Sequence, residues 1–109
     1  MDPERLLRRL SEAGADAEYE LDLRGLDRVH AEESVRRMLE RTRFTEPRSV
    51  RVRLQPPPEG GGETLFQPIG RLLLQARRQG VLNGLSPLSP EIGVGYWIET
   101  AGRKEPDTD

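Results

Sequence analysis

The chain has no cysteine, which excludes disulfides, thiolate catalysis and cysteine-ligated zinc. Its single histidine, His30, rules out any site built on two imidazoles. Lysine is nearly missing too: of 17 basic side chains only Lys104 is not arginine. Apolar residues make up 34% of the 109 residues, a low share that predicts a thin core and loose ends. No window holds about 18 uncharged apolar residues, so no membrane-spanning helix is expected. The opening MDPERLLRRL lacks the apolar stretch of a secretory signal, and the expected compartment is the cytoplasm.

Charge is plentiful instead, at 33% of residues with a net of −2. It is spread unevenly. Residues 24–53 hold nine arginines against five acids, a local excess of +4, while Asp2, Glu4, Glu12, Asp16 and Glu18 lead the chain and Glu105, Asp107 and Asp109 close it. An arginine-rich window can neutralise phosphates bidentately. It can equally be a solvated helix face laced by pairs such as Glu32–Arg36 and Glu33–Arg37. The pI near 5.5 lies far below the value above about 9 common in strong nucleic-acid binders.

Asp2-Pro3 opens a short helix bearing Leu6, Leu7 and Leu10, and Gly14 can stop it. Residues 1–18 therefore read as an N-terminal helix and linker. Tyr19 to Arg24 alternates strictly, as a half-buried strand does, and Gly25 ends it. From about Val29 to Arg43, Ala31, Val35, Met38, Leu39 and Thr42 fall on a helical stripe. Ser49 to Leu54 alternates again, with Val50, Val52 and Leu54 facing the core. The stretch QPPPEGGG at 55–62 is a loop, since prolines remove donors and glycines loosen the chain. The next helix carries Leu65, Phe66, Ile69, Leu72, Leu73 and Ala76, its regular part beginning near Gln67 with Pro68 in the first turn and Gly80 beyond its end. Val81–Leu85 and Gly93–Thr100 read as strands, and 101–109 as a disordered polar tail.

This order predicts an α/β fold: a two-layer sandwich over residues 19–100, β-α-β-α-β-β, with a mixed sheet and both helices on one face. A sheet covered twice would have continuously apolar strands, and these alternate. The open face should carry Glu20, Asp22, Arg24, Arg51 and Arg53. It gains Trp97 if Val94, Tyr96 and Ile98 face the helices, and the N-terminal leucines are then a candidate cover.

LDLRG at 21–25, followed by a helix, resembles the opening motif of the Smr domain, the small module found at the C-terminus of MutS2 proteins and as stand-alone proteins. The usual pattern is Leu-Asp-x-His-Gly, and arginine in the fourth place occurs in the MutS2 type. Element order matches over about 19–100, as does the Gly93-Val94-Gly95 entry to the last strand. The resemblance implies a fold like that of the C-terminal domain of bacterial translation initiation factor three. It also implies a role on nucleic acid, since some members nick DNA or cleave RNA and others only bind. The second family motif, His-Gly-Lys-Gly, is replaced here by Leu54–Gly62, which keeps glycines but has neither histidine nor lysine. Binding without cleavage is therefore expected.

Ligands of parallel α/β sheets sit beyond the carboxyl ends of the strands. There Arg24, Gly25, Arg28 and the backbone of Gly60, Gly61 and Gly62 could hold a phosphate backbone, aided by helix N-termini. Alternatively the glycines are only a flexible connector. Arg51 and Arg53 point the same way and could straddle phosphates, or pair with Glu20, Asp22 and Glu99. Trp97 could stack on a base or pack beneath the N-terminal helix. Asp22 could bind a metal, orient Arg24, or pair across the sheet with Arg51 or Arg53. His30 could be a displaced general base or an exposed helix-start residue, with no partner evident. A nuclease would have to use Asp22 and Glu59 with Mg2+ or Mn2+; otherwise no cofactor is expected. The partners considered are DNA or RNA and, through the N-terminal helix or the proline-rich loop, a protein.

Overall fold

The computed structural model describes residues 17–103. Six elements follow in the expected order: β1 (Tyr19–Asp22), α1 (Arg28–Thr42), β2 (Ser49–Arg53), α2 (Phe66–Arg78), β3 (Leu82–Pro87) and β4 (Gly95–Thr100). The strands form one mixed sheet in the order β1-β2-β4-β3. β1 runs parallel to β2, with Leu21 opposite Val52. β4 runs antiparallel to both its neighbours, with Val52 opposite Tyr96 and Ile98 opposite Leu85. The expected helix over the N-terminal leucines lies outside the described residues.

Each helix begins and ends for a local reason. Asp27 caps α1, its carboxylate accepting the His30 amide at 2.9 Å. Pro68 is the third residue of α2, inside the first turn, where its missing N–H leaves no bond unmade. α2 stops at Gly80, whose φ of +81° sets up a Schellman closure. There the Val81 amide reaches the Ala76 carbonyl at 2.9 Å and the Gly80 amide the Arg77 carbonyl at 3.1 Å.

Strand parity separates the two faces. Val50, Val52 and Leu54 of the β2 segment and Tyr96 and Ile98 of β4 are buried with Ala31, Val35 and Met38 of α1 and Ile69, Leu73 and Ala76 of α2. Both helices thus lie on one side of the sheet. Glu20, Asp22, Arg51, Arg53, Trp97 and Glu99 alternate with these and occupy the other side.

Boundaries differ from the reading by a few residues. β3 runs on to Pro87 rather than ending at 85, because it is an edge strand where proline owes no donor to a neighbour. β4 begins at Gly95, not 93. Beyond β4 the chain stays tied: the Ala101 amide bonds the Val81 carbonyl at 2.9 Å, and the Arg103 amide bonds Thr45 at 2.7 Å.

Candidate functional site

Parallel pairing brings the carboxyl ends of β1 and β2 together. The Leu23 amide donates to the Arg53 carbonyl at 2.9 Å, so the loops beginning at Arg24 and Gln55 leave from the same end of the sheet. Five of the expected phosphate-binding groups are on these loops: Arg24, Gly25, Gly60, Gly61 and Gly62. Arg28 starts the helix after the first loop.

Arg24 is held in place. Its Nε and Nη2 each lie 2.8 Å from one oxygen of the Asp22 carboxylate, and its amide donates to the same carboxylate at 3.1 Å. The side-chain bond from Arg24, then its backbone bond, lowers the Asp22 pKa to about 2. Of the side chains within reach of Asp22, the one it hydrogen-bonds is Arg24. The cross-strand pairing with Arg51 or Arg53 is not made, although Asp22 lies opposite Arg53 in register. The bond from the Arg24 amide to Asp22 closes a turn two residues long, and this local turn sets the guanidinium beside the carboxylate. The chain then turns at Gly25, φ +85°.

His30 is an exposed residue in the first turn of α1, and it has one partner there, Asp27. Its Nδ1 lies 2.8 Å from Asp27 Oδ1, the same oxygen that caps α1. These bonds hold the Asp27 pKa below the usual carboxylate value, the backbone bond from His30 contributing most. The signal was present in the sequence: an Asx cap three residues before a histidine places both on one turn. Asp27 also corrects the electrostatics, because its carboxylate fills the N-terminus of α1. Neither helix has an acid in its first turn, but the start of α2 lacks a carboxylate cap: its N-cap is Leu65, Thr64 Oγ1 accepts the Phe66 amide at 3.2 Å, and Glu63 lies exposed two residues before the cap.

The open face is a lattice of ion pairs. Glu20 takes Arg51 at 3.1 Å and Arg53 at 3.5 Å. Away from this face, Glu18 takes Arg48 at 3.3 Å, and the Arg48 guanidinium lies over the Tyr19 ring. Arg53 also donates to the Ile92 carbonyl at 3.0 Å. On α1, Arg28 and Arg36 share Glu32, Arg37 meets Glu33 and Arg43 meets Glu40. Eight of the nine arginines in 24–53 thus have a carboxylate within 4.0 Å, and Arg41 is the exception among the described residues. Trp97 lies on this face, opposite Arg51 and Ser86, its ring edge against Gly84.

In the glycine loop Gly60, Gly61 and Gly62 have φ values of +92°, +90° and +141°, and all three are exposed. The Gly61 amide is bonded to the Pro58 carbonyl at 2.9 Å, leaving it unable to serve an anion in this arrangement. Glu59 is exposed on the same loop. Among the described residues no group of three or more histidine, aspartate or glutamate side chains could hold a metal ion. None of their helices is long and apolar enough to cross a membrane.

One aromatic pair escaped the sequence reading. Phe66, first in α2, stacks on Tyr96 of β4 with centroids 4.6 Å apart and planes 18° off parallel. Only the fold makes them neighbours, since thirty residues separate them.

Comparisons of the chain with protein-family models, with curated proteins and with solved structures return no match.

Proposed function

We propose that this chain is a non-catalytic, Smr-like nucleic-acid-binding module that takes a phosphate backbone at the carboxyl ends of its two parallel strands. The observation that carries this reading is that Arg24, Arg28, the glycine loop and the start of α2, which no carboxylate caps, all lie at that end of the sheet. Arg24 is preorganised by Asp22, so it presents a fixed guanidinium at little further entropic cost. Exposed ion pairs are weak in water and exchange readily for a phosphate. The LDLRG motif and the β-α-β-α-β-β order add the resemblance to the Smr family. Catalysis is not part of the reading: both Asp22 carboxylate oxygens accept from Arg24, and among the described residues no nucleophile is bonded to the Asp27–His30 pair.

The Arg51 and Arg53 side chains, 26% and 28% exposed in their pairs with Glu20, are less open to exchange than Arg24 at 44%, so the expected contact lies at the strand ends; the neutralised open face itself favours a protein-interaction adaptor. Fluorescence anisotropy with labelled DNA and RNA at about 50 mM salt tests this, since phosphate contacts weaken steeply as salt rises. Salt-sensitive binding that Arg24→Ala and Arg28→Ala reduce is the expected result. Absence of binding at that salt overturns the reading in favour of a protein-interaction adaptor. Nicking of supercoiled plasmid with Mg2+ or Mn2+, abolished by Asp22→Asn, would overturn its non-catalytic part.

A further inference from the structure

We infer that Phe66 is a stacking platform for an unpaired nucleobase, so that the interface takes single-stranded rather than duplex nucleic acid. This rests on the nucleic-acid reading above. Tyr96 and Phe66 form a two-ring stack anchored at its inner end: Tyr96 is 8% exposed, and its hydroxyl donates to the Phe66 carbonyl at 2.8 Å. Phe66, the outer ring, is 36% exposed. One face of it is covered by Tyr96, so an arriving ring extends an existing stack.

The stack lies at the right end of the molecule. Tyr96 sits opposite Val52, one residue before Arg53, whose carbonyl receives the Leu23 amide next to Arg24. No carboxylate caps the first turn of α2, and Glu59 and Glu63 stand outside it on the preceding loop. Leu26 and Val29, 40% and 74% exposed, add apolar surface around the start of α1, which follows the neighbouring parallel strand. Bases in a duplex are stacked on both sides and offer no free face, whereas a single strand presents one, and every base has a π-face. The platform therefore predicts strand-state selectivity with little sequence preference.

The test uses the full chain with a labelled oligothymidylate and a duplex of equal length, both at about 50 mM salt. The expected result is tighter binding of the single strand. Phe66→Leu, which keeps apolar bulk without a π-face, should weaken single-strand binding about tenfold and leave duplex binding unchanged. Phe66→Tyr, which restores the π-face, should restore the affinity, and a thermal melt of each variant shows that the fold persists. Equal affinity for both probes, or single-strand affinity unmoved by Phe66→Leu, overturns the stacking platform and leaves the phosphate-binding module standing. Binding of neither probe by the native chain overturns both.

Discussion

Gly70 and Tyr96 are complementary: a Cβ on Gly70 would run into the Tyr96 hydroxyl. The missing side chain lets that hydroxyl reach the Phe66 carbonyl one turn earlier on α2. Gly70→Ala should therefore destabilise by about 1–3 kcal/mol, as overpacking does. Tyr96→Phe alone should cost about 1 kcal/mol for the lost hydrogen bond. The double variant should cost less than the two together, because the colliding atom is gone. Urea unfolding of the four proteins measures this, and strict additivity would refute it.

Thr100 is fully buried, and its hydroxyl accepts the Arg48 amide at 2.8 Å while lying 3.3 Å from the Arg48 carbonyl. Thr100→Val keeps the shape and leaves that amide without a partner. A loss of about 1–3 kcal/mol is expected. Thr100→Ser retains the hydroxyl and should lose less. Equal midpoints for both variants in urea would show that the hydroxyl does nothing.

The Asp22–Arg24 pair sets a pH dependence. The folded pKa of Asp22 is about 2, below its ordinary value of 3.8, so the folded state favours the ionised carboxylate. The stabilisation is present above about pH 4 and fades as pH falls towards 2. NMR titration should place the Asp22 carboxyl near 2, and Arg24→Ala should return it towards 3.8. Arg24→Ala should also remove that part of the acid sensitivity of folding between those two pH values.

Glu20 holds two arginines of the open face. Glu20→Gln removes one negative charge without changing shape. Nucleic-acid affinity should rise at low salt, and the slope of log K against log salt should steepen by up to about 0.9 for each further phosphate that the freed guanidinium groups neutralise. An unchanged slope would mean that a bound strand never reaches this face.

The two-layer sandwich was legible because β1 and β2 alternate so strictly. Acids and arginines at every second position left no way to cover both sheet faces, and Val50, Val52 and Leu54 then fixed which side received the helices. Trp97 followed by the same parity from Tyr96 and Ile98. What stayed hidden depended on side-chain reach or chain return. Asp22 could touch Arg24, Arg51 or Arg53 from one strand position; the local bond from the Arg24 amide holds it to Arg24, while Glu20 takes Arg51 and Arg53. Phe66 looked like one more apolar residue before a proline, because its partner comes from a strand thirty residues on. Asp27 was readable as a cap for His30, and local spacing alone sufficed to see it.

The central strand β2 takes β1 on one flank and β4, the last strand, on the other. During synthesis, β1, β2 and the first helix leave the ribosome with one whole edge of β2 still bare. That edge offers a row of open amides and carbonyls to any neighbouring chain until Thr100 emerges. Any truncation that removes β4 should therefore leave a clumping fragment instead of a smaller folded one.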